Sequence, residues 1–207
     1  IYFAVMGTLG LLIALGYKYR FSALAFAVLW SGVYLMQKTS YNNHYYLLML
    51  LAYIMAFLPA NRDASLDAKL HPKLRSQTMY NWVRWTIILQ LFIVYTYASV
   101  AKLYADWLDF SMIEVLMSHK KDYYLIGDFL QQQWVHKIVA FFGIFFDLLI
   151  VPALLWRPTR KTAFVLAIFF HLFNSIVFQI GIFPYLSLAF TVFFFEPQTI
   201  RDRKSVV

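Results

Sequence analysis

Four places in this chain set polar groups among apolar neighbours, and ionisable groups in hydrocarbon cost several kcal/mol unless paired or hydrated, so each is a candidate for chemistry. Lys102 closes the run Tyr95-Thr96-Tyr97-Ala98-Ser99-Val100-Ala101-Lys102, with Asp106-Trp107 just beyond. An amine in a low dielectric gives up its proton more easily and can serve as a base near neutral pH. The tyrosines and Ser99 beside it suggest a polar pocket. The competing reading is a lysine snorkelling to the interface with Asp106 at i+4 as its ion-pair partner. His44 opens a helix in Asn42-Asn43-His44-Tyr45-Tyr46, where Asn42 or Asn43 is an N-cap candidate and the cluster reads either as capping and anchoring or as chemistry. His171, Asn174, Ser175, Phe178 and Gln179 fall at i, i+3, i+4, i+7 and i+8, one helical stripe that either glues helices together or lines a cavity. Asp147, mid-run in Phe145-Phe146-Asp147-Leu148, needs a partner, expected to be His171 or a hydroxyl.

The elements that must carry these residues are helices in a bilayer. Of 207 residues 62% are hydrophobic and only 14% charged, against about 45–50% and 25% in soluble domains, too little polar surface to cover a globule. Cysteine is absent, which excludes disulfides and thiolate metal sites. Spanning the hydrocarbon takes about 20 apolar residues in a helix, and the apolar runs here are continuous rather than alternating. Seven such segments are read: 1–17, 21–37, 44–59, 81–103, 138–156, 162–180 and 184–195. The fold class expected is therefore all-α, a polytopic bundle of about seven segments forming one domain over 1–195, with a basic tail at 196–207. Ile1 in place of an initiating Met suits a trimmed chain, and no secretory signal pattern is evident.

Charge orients this bundle. With alternating crossings, thirteen of the eighteen basic residues share one side, including Lys18, Arg62, Arg84, Arg157, Arg160 and the tail residues Arg201, Arg203 and Lys204. Lys38, Lys102, Lys120, Lys121 and Lys137 fall on the other. Basic loops face the cytoplasm, which accounts for the net charge of +8 without nucleic acid. Lys102 and His44 are then both expected near the outer surface. The long outer loop 104–134, rich in aromatics, is expected to form short interfacial helices. Neither a Gly-rich phosphate loop nor GxSxG nor HExxH occurs, and Asn61-Arg62-Asp63 and His71-Pro72 read as cytoplasmic loop.

Three runs in order carry a resemblance: Asn42-Asn43-His44-Tyr45-Tyr46-Leu47; Ile93-Val94-Tyr95 through Ala101-Lys102-Leu103 to Asp106-Trp107-Leu108; and Phe170-His171 through Asn174-Ser175 to Phe178-Gln179-Ile180-Gly181-Ile182-Phe183. Over 42–195 the chain resembles the membrane domain of vitamin K-dependent gamma-glutamyl carboxylase, shared with bacterial horizontally transferred transmembrane domain proteins. The resemblance implies that Lys102 is the base that deprotonates a reduced quinone, with His44 also catalytic. It implies cofactor-binding roles for Asn43, Tyr97, His171, Asn174 and Gln179. The implied reaction couples oxygenation and epoxidation of reduced vitamin K or a related menaquinol to proton abstraction from, and carboxylation of, glutamyl residues. O2 and CO2 are its co-substrates and no metal is required.

The implied partners are the bilayer, the membrane quinol and a glutamate-containing peptide, in a bacterial plasma membrane. Two features depart from the animal enzymes. Ala101 precedes Lys102 where they have a double lysine, and a short tail follows the last segment where they have a large lumenal domain. A bacterial-type homologue without that domain is expected. The alternative is a non-catalytic membrane subunit for maturation or export of a secreted peptide.

Overall fold

In lipid a chain must satisfy its own backbone groups, and these continuously apolar runs do so as helices. The computed structural model describes residues 1–37 and 42–196. Lys38, Tyr41 and the basic tail with Arg201, Arg203 and Lys204 lie outside the described residues. Every strand-like alternative is absent among the described residues. Each of the seven apolar segments contains a helix, but the expected count of seven crossings is not confirmed. Four helices are long and apolar enough to span, at Tyr19–Met36, Asn81–Val100, Gln133–Leu155 and Arg160–Phe178. The helices at Tyr2–Leu15, Asn43–Phe57 and Phe183–Phe194 are shorter. At a rise of 1.5 Å per residue, a helix of 14 residues covers about 21 Å of a roughly 30 Å hydrocarbon core.

The chain divides into two units, one at Ile1–Val83 and one from Arg84 onward. In the first, α1 (Tyr2–Leu15), α2 (Tyr19–Met36) and α3 (Asn43–Phe57) are consecutive neighbours. α1 ends in a Schellman turn. Gly16 takes φ 62°, its N–H donates to Ile13 O at 3.0 Å, and that of Tyr17 donates to Leu12 O at 2.9 Å. A Cβ at Gly16 would also lie 2.4 Å from Ser65 Cβ, so this turn admits only glycine. The short α4 (Leu66–Leu70) follows, capped by Ser65, whose Oγ accepts from Ala68 N–H at 3.0 Å.

The first turn of α4 locks onto the start of α2. The Asp67 carboxylate accepts from the N–H groups of Lys18 (2.7 Å) and Tyr19 (3.0 Å) and from the Asn61 amide (2.7 Å). It thus satisfies free donors at a helix N-terminus, where the dipole also favours an anion. Burial pushes the Asp67 carboxyl up, but the N–H of Tyr19, the Asn61 amide, the N–H of Lys18 and nearby His71 together carry it below its ordinary value.

In the second unit the helices are α5 (Asn81–Val100, its first turn crossing the boundary), α6 (Ala105–Leu108), α7 (Ser111–Ser118), α8 (Gly127–Leu130), α9 (Gln133–Leu155), α10 (Arg160–Phe173) and α11 (Phe183–Thr191). α9 is the most buried of the four long helices, which makes it the core of this unit. The aromatic loop forms the short helices α6 to α8. Ile113 and Met117 of α7, one turn apart, pack with Leu130, Val135, Ala140 and Val177. Basic side chains close helix ends. Arg84 donates to the carbonyls of Phe193 (2.8 Å) and Phe194 (3.1 Å), and Arg160 to those of Leu154 (2.9 Å) and Leu155 (3.0 Å).

Candidate functional site

The residues that could do chemistry in the second unit collect along one face of α9. Ala140, Gly143, Ile144 and Asp147 recur at i, i+3, i+4 and i+7, and all four are buried. Against this face stands the C-terminal end of α5. Ser99 donates through Oγ to Ile144 O at 3.0 Å. Lys102 donates from Nζ to the Asp147 carboxylate and, at 3.1 Å, to Ala98 O. Trp107 anchors its indole N–H on Ala140 O at 3.2 Å, and its ring sits 5.4 Å from the Lys102 amine. Gly143 makes the approach possible: a Cβ built there would lie 3.7 Å from both Lys102 Cε and the Trp107 ring.

The bond to Ala98, four residues back, fixes the direction of the lysine. Its side chain runs back along its own helix, the reverse of snorkelling outward. The i+4 pairing with Asp106 does not form, because α5 ends at Val100 and Asp106 belongs to the separate α6, where it is exposed. Asp147 finds neither His171 nor a hydroxyl but the Lys102 amine. The reason is charge. Removing a carboxylate from water costs several kcal/mol, and a cation with hydrogen-bonding capacity offsets more of that than a neutral group. Asp147 keeps 5% of its side-chain surface and Lys102 keeps 20%, so the carboxylate is desolvated while the lysine side chain is not sealed off.

A second polar pair lies deeper. Tyr95 Oη and His171 Nε2 are 2.7 Å apart. The imidazole is fully buried among the rings of Tyr95, Phe146, Phe170 and Phe183, with centroids 5.4–6.1 Å away, and its Nδ1 has no partner among the described residues. The expected stripe from His171 to Gln179 is not one face. α10 gives way after Phe173 to a π-helical turn over Asn174–Phe178, and Gln179 takes φ 52°. The wider turn shifts the register, leaving His171, Asn174 and Val177 buried and Gln179 exposed. Ser175 Oγ meets Tyr185 Oη at 2.8 Å, and the Gln179 amide donates to Tyr123 Oη at 3.2 Å. Tyr97 points away from the face of Tyr95 and Ser99 and is 72% exposed.

Asn43 and His44 belong to the first unit. Asn42 is the N-cap of α3, its Oδ1 accepting from the N–H of His44 (2.8 Å) and of Tyr45 (3.4 Å). Asn43 is exposed and His44 half-buried. Sequence reasoning did not assign Trp107 and Gly143 to the lysine. The signal for Gly143 was available in its i, i+4 relation to Asp147. Trp107 lies in the separate four-residue α6, which spacing along α5 does not relate to the lysine.

Comparison with known families identifies the domain to which this arrangement belongs: the family model of the HTTM domain matches residues 1–198. No solved structure matches the chain.

Proposed function

The chain belongs to the HTTM domain family, the domain of the vitamin K-dependent carboxylase membrane region, and from that premise we propose that it is a membrane enzyme of the carboxylase type. In this reading it couples epoxidation of a reduced vitamin K or menaquinol to proton abstraction from, and carboxylation of, glutamyl side chains. The observation that carries it is the inward-turned Lys102 amine, bonded to Asp147 and covered by Trp107. A reduced quinone brings a phenolic hydroxyl dissolved in the bilayer, whose deprotonation opens the way to reaction with O2. The accessible fifth of the Lys102 side chain, beside the Trp107 ring, fits such a partner.

In this scheme Lys102 takes the phenolic proton as a neutral amine, a form reached once its ion pair with Asp147 has given one proton up to solvent. The ammonium that results is already opposite a carboxylate and an acceptor carbonyl, so no unpaired charge is left in a low dielectric. Trp107 keeps bulk water from competing for the proton. Asn43, Tyr97, His171, Asn174 and Gln179 are carried over from the family's runs as cofactor-binding candidates, and His44 as a second catalytic residue, each to be tested alone. Basic loops on the cytoplasmic side of a bacterial plasma membrane complete the reading.

The test is epoxide formation from reduced quinone by the purified protein in detergent. A general base supplies about 10²–10⁴-fold, so Lys102→Ala is expected to lose at least ~10²-fold. Turnover in that variant equal to wild type would remove Lys102 from the role. No epoxide from a folded wild-type protein would instead favour a non-catalytic subunit for peptide maturation or export.

A further inference from the structure

We propose that the Tyr95–His171 hydrogen bond is a rotational key for α5, making Tyr95 and His171 positioning residues that aim the Lys102 amine. Tyr95, Ser99 and Lys102 stand at i, i+4 and i+7, one face of a helix whose turn continues through Ala101, where the N–H donates to Tyr97 O at 2.8 Å. Each is bonded across that face: Tyr95 to His171, Ser99 to Ile144 O, Lys102 to Asp147. Between helices in lipid there is little hydrophobic drive, so the rotation of a helix about its axis is set by packing and by directional polar contacts of this kind.

The imidazole is an odd choice for stability alone. It is sealed inside four aromatic rings, and its Nδ1 meets no partner among the described residues, a buried polar atom that a phenylalanine would not carry. What the pair supplies that two phenyl rings cannot is direction. A rotation of α5 by about 20° would carry an atom at the helix's outer radius through about 2 Å, enough to break the bond between Lys102 and Asp147.

The consequence for turnover rests on Lys102 being the base; the geometric content does not, and the experiment separates them. The full chain in detergent is labelled with 13C at lysine Cε, and the Lys102 resonance is assigned by its loss in Lys102→Arg. The Trp107 ring, 5.4 Å from the amine, displaces that resonance from those of exposed lysines. Tyr95→Phe/His171→Phe keeps the aromatic packing without an orphaned partner. It is expected to fold, to move the Lys102 resonance toward the exposed lysines and to lower kcat by about 10²-fold with KM unchanged. His171→Gln, which can still meet the Tyr95 hydroxyl, is expected to keep the wild-type resonance. An unmoved resonance in the folded double variant overturns the proposal, whatever the turnover, and so does an equal displacement in His171→Gln. Should the double variant aggregate, Tyr95→Phe alone is read by the same signal. A wild type that makes no epoxide fails the functional reading but leaves the resonance test intact.

Discussion

Removing Lys102 and removing Asp147 should not cost the same, although the two groups share one bond. Asp147 keeps 5% of its side-chain surface, and its hydrogen bond in the structure is to Lys102. Lys102→Met therefore strands a carboxylate that water cannot reach, and breaking a buried pair in this way costs about 3–5 kcal/mol. Asp147→Leu strands the amine instead, but that amine retains Ala98 O at 3.1 Å, and the lysine side chain keeps a fifth of its surface. Rehydration should recover about half the penalty, leaving about 2 kcal/mol. Lys102→Met/Asp147→Leu removes both charges and fills the space with similar volume. Replacing a whole buried pair in this way is close to neutral, so the double variant is expected within about 1 kcal/mol of wild type.

The cycle then has a coupling of about 5 kcal/mol, far outside the few tenths seen for independent sites. Thermal melts in detergent, followed by tryptophan fluorescence, read it directly. At about 2–4 °C per kcal/mol for a chain of this size, Lys102→Met should melt roughly 10 °C below wild type and the double variant close to it. A double variant as unstable as the two single losses combined would refute the pairing, and with it the desolvated geometry on which the chemistry depends.

Two further outcomes follow from single contacts. Gly143→Ala should leave melting and turnover near wild type, because its Cβ would sit at an ordinary 3.7 Å from Lys102 and Trp107; Gly143→Leu must push one of them aside and should lower kcat by about 10²-fold in the epoxidation assay. Asp67 should give the first unit an acid limb. Its folded carboxyl lies below the ordinary value, so its contribution is fully present above that value, near 3.9, and is lost as pH falls through the folded one. Asp67→Asn, melted across this range, should cost about 2 kcal/mol at neutral pH and abolish that limb; parallel acid loss in both proteins would show that Asp67 is not its source.

The helical class was legible because continuous apolar runs leave a lipid-embedded backbone one economical choice. Helix existence followed, and the N-cap at Asn42 was readable from side-chain chemistry alone. The number of crossings was not. Hydropathy marks where a chain is apolar, but a helix that stops after 14 or 15 residues, as α1 and α3 do, carries nearly the same composition as one that continues. The register of the His171 stripe failed for a related reason. Counting by 3.6 assumes one kind of turn, and the π-helical turn at Asn174–Phe178 widens it, with no proline or glycine inside the turn to announce the change.

The same limit governs the site, and it shows what kind of reasoning reaches further. Spacing rules relate residues on one helix, and the nearest carboxylate to Lys102 by spacing was Asp106. The pairing that forms joins residues 45 positions apart. It could have been reached by elimination instead of by period. Asp147 is the one acidic residue of its unit that falls inside a long apolar segment, so its charge must be met by a cation, and Lys102 is a lysine at the end of a neighbouring segment with a side chain long enough to turn inward. Desolvation cost ranks partners that periodicity cannot see. Applied to His171, the same logic points to a hydroxyl, since an uncharged imidazole asks for a hydrogen-bonding partner and not for a counter-charge. Tyr95 supplies that bond. The two buried pairs are thus sorted by charge, ion with ion and neutral with neutral, and α5 contributes one member to each.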